Sequence, residues 1–133
     1  MALQLEIVTP TLRALATECD EVRLPGAEGS FGVLPGHTPL LSLLKAGPLF
    51  VRTGAESHLY ALGEGFAEVS GDHVRVLVEE AQAADEIDLA AAQKQLAEHQ
   101  AKLSSMKSDD PEFDRMRAQV ERAAARALVA SQK

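Results

Sequence analysis

Leu3, Leu5 and Ile7 alternate with Gln4 and Glu6, and Val74, Val76 and Val78 alternate with Arg75 and, less cleanly, with the apolar Leu77. Period-two alternation sends one set of side chains into a core and the other toward water or a neighbour, so both stretches read as strands. Between them turn signals recur at Pro25-Gly26, Pro35-Gly36, Thr53-Gly54 and Ser70-Gly71-Asp72. That spacing suits strands of about four to seven residues, the pattern of an all-β sandwich or barrel.

Beyond residue 85 the period changes. From Asp88 to Met106 apolar or small residues recur at Leu89, Ala92, Leu96, Leu103 and Met106, a heptad-like seam broken only by His99. From Glu112 to Ser131 a second seam runs through Phe113, Met116, Val120, Ala123, Ala127 and Ala130. Both stripes are narrow, which suits two helices lying along each other. Asp110-Pro111 supplies an N-cap followed by proline at the first helical position, and Asp109, Asp110, Glu112 and Asp114 crowd the positive end of that helix dipole. Residues 104–109 are left as a connecting turn, short enough to force an antiparallel pair. The expected fold class is α+β: an N-terminal all-β sandwich over 1–84, then a C-terminal antiparallel two-helix hairpin over 85–133.

Composition sharpens that division. All 9 glycines lie between Gly26 and Gly71 and only Pro111 of the 6 prolines follows them, as expected if turns give way to helices near residues 80–87. The hairpin is poor in bulky residues. A fully buried large aliphatic side chain contributes about 1.5–3 kcal/mol, and the second seam ends in alanines that contribute far less. Such a hairpin is marginal alone and must dock on the sandwich or on a partner, an energetic motive for a mobile element.

The 133 residues leave room for one sandwich-sized domain plus an appendage. Thirteen Lys and Arg against 20 Asp and Glu give a net charge of −7, which argues against a nucleic-acid partner held by phosphate neutralisation. The first 84 residues carry 11 acidic and 5 basic side chains, the remainder 9 and 8. No apolar run approaches the roughly 20 residues of a membrane span, so direct lipid insertion is not expected. Met1 is followed by no basic and apolar leader pattern, and the lone Cys19 has no partner for an internal disulfide; a reducing, cytoplasm-like compartment is the expectation.

Chemistry is hard to find. His37, His58, His73 and His99 share no metal-ligand spacing, so no metal site is expected. Gly63-Glu64-Gly65-Phe66 matches half of a dinucleotide fingerprint but lacks the third glycine and the following helix, and reads as a turn or bulge. There is no phosphate-binding Gly-Lys-Ser/Thr loop and no nucleophile elbow. A small hydrolase would need a nucleophile and base that are not evident, so no catalytic residue is assigned. A free-standing ligand-binding module would need aromatic platforms, and five aromatics scattered as Phe31, Phe50, Tyr60, Phe66 and Phe113 do not supply them.

One stretch is different. Residues 24–41, Leu-Pro-Gly-Ala-Glu-Gly-Ser-Phe-Gly-Val-Leu-Pro-Gly-His-Thr-Pro-Leu-Leu, hold four glycines and three prolines in two tight turns around a short apolar segment, Phe31 to Leu34. They read equally as sandwich corners or as rigid turns presenting Glu28, Ser30 and His37 to a partner.

This run is similar to the signature of the epsilon subunit of the F-type ATP synthase. Lys45-Ala46-Gly47, Gly63 to Val69, the strand His73 to Val78 and Glu86-Ile87-Asp88 follow as that family's further landmarks, so the resemblance covers essentially the whole chain. It implies a non-catalytic subunit of the rotary central stalk, coupling proton flow through the c ring to ATP synthesis. It implies that the loop with Glu28, Gly29, Ser30 and Phe31 faces the c-ring loops and that His37 lies near the gamma subunit. It places the complex at the cytoplasmic face of a bacterial inner membrane.

The hairpin in this family regulates. It lies folded on the sandwich or extends along gamma toward the alpha and beta subunits, where it opposes rotation in the hydrolysis direction. Arg115, Arg117, Arg122 and Arg126 suit that role, since an extended helix carrying arginines pairs with acidic surfaces. An ordinary exposed helix face is the alternative. Some members bind ATP on the folded hairpin through Ile/Leu-Asp-x-x-Arg-Ala. Here Ile87-Asp88-Leu89-Ala90 fits, but the arginine position is Ala91, and a position that is basic in an ATP-binding relative is Glu98. Arg122 and Arg126 remain; weak or absent ATP binding, and no cofactor, is the expectation.

Overall fold

The computed structural model describes residues 2–132. Ten strands come first: β1 (Leu3–Val8), β2 (Arg13–Cys19), β3 (Glu21–Gly26), β4 (Gly29–Val33), β5 (Leu40–Leu44), β6 (Gly47–Thr53), β7 (Glu56–Leu62), β8 (Gly65–Ser70), β9 (His73–Val78) and β10 (Ala81–Ala83). A single 3₁₀ turn over Ala84–Glu86 leads to α1 (Leu89–Ser104) and α2 (Phe113–Ser131).

The two stretches of clean alternation are neighbours. β1 and β9 pair in parallel, with Leu5 opposite Val74 and Ile7 opposite Val76. The sheet continues in the order β10-β7-β6-β3-β5-β8-β9-β1-β2, with β4 hydrogen-bonded to β3. The passage from β3 to β5 is a single pair, Gly26 with Leu44, so the ladder folds there into two packed layers. Leu3, Leu5, Ile7, Val22, Leu24, Val33, Leu49, Leu62, Val69, Val74 and Val76 fill the space between them, all at most 2% exposed. This is the expected sandwich core, built from Leu and Val with few aromatics.

One turn differs from expectation. Pro25-Gly26 is not a corner but the buried end of β3; the chain reverses at Ala27-Glu28, and Gly29 takes the positive φ of 134° that a side chain would resist. Gly26 is needed for closeness instead, because an added Cβ would sit 2.5 Å from the Gly29 carbonyl oxygen.

The hairpin forms as the seams predict, with three differences. On α1 the half-buried or buried positions are Leu89, Ala92, Leu96, His99 and Leu103, so His99 continues the stripe rather than breaking it. α2 buries more than one stripe: besides Met116, Ala123 and Ala130, it also buries Ala125 and Val129. The reason is that α2 is flanked on two sides, by α1 and by β6 and β7, whereas the sequence pattern was read for one helical neighbour. The helix begins at Phe113 with Glu112 at its N-cap, so Asp110 is not the cap and Pro111 not the first helical residue that the sequence suggests; both belong to the preceding turn. Asp110 still satisfies the entry, its Oδ1 accepting the Glu112 N–H at 2.8 Å and its carbonyl the Phe113 N–H at 3.0 Å.

Candidate functional site

Two surfaces carry most of the chemistry. The first surrounds the β3–β4 turn. Ala27 N–H donates to the Leu43 carbonyl at 2.9 Å and Lys45 N–H to the Pro25 carbonyl at 3.0 Å, which fastens this turn to β5. Glu28, Gly29 and Ser30 are exposed at its tip; Phe31 is half-buried against the core. His37 sits in the next turn, where its N–H bonds the Leu34 carbonyl at 3.1 Å and its Nδ1 lies 2.6 Å from the Thr38 carbonyl, making that nitrogen the donor. The turn is tied across the fold by the Gly36 N–H, which donates to Asp72 Oδ1 at 3.0 Å.

These residues border one shallow depression, shared by Glu28, Ser30, Phe31 and His37 with Leu41 and Leu43. Leu41 is 68% exposed and Leu43 71%, and Phe66, the cross-strand partner of Leu43, is 41% exposed. Three large apolar side chains on one strand pair, left uncovered by either helix, form a strip of the kind that marks a protein contact. The strip went unrecognised in the sequence because Leu-Leu-Ser-Leu-Leu at 40–44 has no clean alternation to show which leucines point outward.

The second surface is the seat of α2. Ala125, Val129 and Ala130 join Ala61 of β7, Ala84, Ile87 and Ala92 in a small apolar cluster separate from the sandwich core. Beside it lie two ion pairs. Arg122 forks onto Glu64, with Nε 2.7 Å from Oε1 and Nη2 2.9 Å from Oε2. Arg126 bonds Glu80 through Nη1. The Arg122 fork holds the Glu64 carboxyl below the usual carboxylate range against the opposing effect of burial. Glu64 in turn raises Arg122.

Of the residues in the degenerate nucleotide motif, Ile87 is buried in the α2 cluster and Asp88 is an exposed residue at the start of α1. Arg122 and Arg126 are engaged by carboxylates of the sandwich. Arg115 and Arg117 are exposed; Arg115 pairs with Glu112, at the N-cap of α2, at 3.6 Å, and Arg117 with Asp114, in its first turn, at 3.7 Å. Glu64 and Glu80 are functional residues that the sequence does not reveal; Gly63-Glu64-Gly65 reads as a turn, and nothing local marks Glu64 as a charged contact. Among the described residues no cluster of His, Cys, Asp or Glu could hold a metal ion. No helix of the described chain is long and apolar enough to cross a membrane.

A sandwich of this topology with a helical pair behind it defines a class. Residues 2–84 match the model of the ATP synthase delta/epsilon chain β-sandwich domain. The ATP synthase epsilon chain of Geotalea uraniireducens is 46% identical over 97% of this chain and 94% of its own length. Epsilon chain 2 of Syntrophotalea carbinolica is 44% identical over 96% and 93%. The chain also superposes on a chain of the Euglena gracilis mitochondrial ATP synthase, from a cryo-EM structure of the OSCP/F1/c-ring assembly, with a TM-score of 0.82 at 26% identity, covering 99% of this chain and 82% of the other. The chain belongs to the ATP synthase epsilon-chain family. Its kind is the epsilon chain, a non-catalytic subunit of the ATP synthase.

Proposed function

We propose that this chain is the epsilon subunit of the rotating central stalk of a proton-translocating ATP synthase, peripheral to the cytoplasmic face of a bacterial inner membrane. On this reading residues 1–84 dock on the gamma subunit and the c ring, and residues 85–133 form a regulatory hairpin that restrains ATP hydrolysis. The chain makes no bond itself. It transmits torque between c ring and catalytic head, so its stiffness and its contacts are its function.

The observation that supports this best is the uncovered strip of Leu41, Leu43 and Phe66 beside the Glu28–Phe31 turn and His37. A rigid two-layer body with an apolar strip rimmed by a polar turn has the makeup of a protein-docking face. Glu28 and Ser30 suit the polar loops of the c ring, and His37 suits gamma. Arg115 and Arg117, exposed on α2, suit acidic surfaces of the alpha and beta subunits when the hairpin extends.

Weak or absent ATP binding is supported on two grounds. The motif arginine is Ala91, and both remaining guanidiniums already hold carboxylates. A phosphate would have to displace Glu64 and Glu80 from Arg122 and Arg126.

The test is affinity purification of the tagged chain from its own cells. Stoichiometric recovery of gamma, alpha, beta and c subunits is expected. Recovery of a homodimer without them would contradict the reading.

A further inference from the structure

The apolar seat of α2 is small. It is built largely from alanines, with Ile87 and Val129 as its larger buried members and Leu59 and Leu89 half-buried against them, so it holds the docked hairpin by non-directional burial that does little to fix its orientation. The charged contacts beside it are built with more care. Glu64 lies in the link between β7 and β8, and Glu80 in the link between β9 and β10. The Gly63 N–H donates to the Glu80 carbonyl at 2.8 Å and the Glu79 N–H to the Glu64 carbonyl at 3.0 Å, so the two links are sewn together by backbone hydrogen bonds. Two carboxylates from distant parts of the chain thereby stand side by side on the sandwich.

Facing them, Arg122 and Arg126 are four residues apart, which puts them on one face of α2 about one turn, roughly 6 Å, from each other. Each takes one carboxylate. The arginine side chains are 26% and 18% exposed and their glutamate partners 38% and 41%, so each pair is shielded from water on the helix side and open to it on the sandwich side. Glycine on either side of Glu64 lets the link pass close to its neighbours; a Cβ at Gly63 would press on Glu80 at 3.1 Å, and one at Gly65 would overlap the Leu77 carbonyl.

We propose that Glu64 and Glu80 form a two-carboxylate latch that holds α2, and with it the whole hairpin, on the sandwich. Any extended position of the hairpin requires both pairs to break first. Among the described residues α1 makes no ion pair with the strands; its Ala92 joins the small apolar cluster with Ala61, and the helix otherwise follows α2 through the seam between them. The consequence for the assembled enzyme rests on the stalk-subunit reading, whereas the latch belongs to the isolated chain and is tested there.

The test is hydrogen–deuterium exchange of the full chain, read separately on residues 113–131 and on β9 as an internal control. In the Glu64→Gln/Glu80→Gln variant, exchange in α2 is expected to accelerate roughly five- to tenfold while β9 keeps its wild-type protection. Raising salt to about 0.5 M should accelerate α2 in the wild type and add little in the variant. Adding Arg122→Gln to Glu64→Gln should add less than Arg122→Gln does alone, since the pair is already broken. Unchanged α2 exchange in the double glutamine variant would overturn the latch. So would equal acceleration in β9, which would make the two carboxylates supports of the sandwich, and so would strictly additive effects of Glu64→Gln and Arg122→Gln. None of those results bears on whether the chain assembles into an ATP synthase.

Discussion

Arg122 and Glu64, 58 residues apart in sequence, meet in a two-bond fork across the seam between helix and sandwich, at 2.7 and 2.9 Å. The fork geometry is specific to arginine, because a lysine offers a point charge without two parallel donors. Arg122→Lys should therefore keep the charge yet loosen α2. In an exchange or denaturation measurement it should lose about half of the effect of Arg122→Gln, itself on the order of 1 kcal/mol for a pair this open to solvent.

Acid should release the same contact. Arg122 holds the Glu64 carboxyl below its ordinary value, chiefly through the hydrogen-bonded fork, so the group is depressed in the docked state. Its contribution is present in full above the ordinary glutamate range and is lost as pH falls through the lower, docked value. Glu79 and Glu80 stand on the same links of the sandwich and Arg122 and Arg126 face them from α2; burial of the Glu64 carboxyl opposes the effect of the fork. Exchange of residues 113–131 followed from neutral pH downward, corrected for intrinsic rates, should show docking constant near neutrality and weakening only in acid. Glu64→Gln should flatten that profile.

The apolar part of the seat can be separated from the charged part. Ile87 is 4% exposed and packs with Ala125 and Val129 across the interface. Ile87→Ala leaves a cavity there, and a cost of about 2–3 kcal/mol is expected for hairpin docking. Circular dichroism and exchange should show loosened helices over an intact sandwich, whose core shares none of these residues.

The outer strip predicts a dissociation between stability and assembly. Leu43 is 71% exposed, so Leu43→Asp should change the melting temperature of the isolated chain little. The same change should reduce recovery of the stalk complex at least tenfold, the scale of burying an uncompensated charge at a contact. Ser57→Asp, exposed on β7 opposite Arg52, is the matched control and should reduce neither.

Sequence reading recovered what period and punctuation encode. The alternation at 3–7 and 74–78 became two paired core strands, and the seam from Leu89 to Leu103 became the half-buried stripe of α1. What it missed has physical causes. Pro25-Gly26 carries a turn signature, yet its turn falls two residues on, at Ala27-Glu28, because Gly26 serves close packing and Gly29 supplies the positive φ. Ala125 and Val129 lie off the seam because α2 has a second neighbour that no local pattern announces. The latch unites residues 64, 80, 122 and 126, and no spacing along a chain reports such an encounter; only the fold brings it about.

The most direct measurement removes the hairpin from the assembled enzyme. With residues 88–133 deleted, membranes should hydrolyse ATP faster than wild type while still driving ATP synthesis from a proton gradient, since the sandwich alone carries the docking face. Unchanged hydrolysis, or loss of coupling on deleting the helices, would contradict the division between a transmitting body and a restraining hairpin.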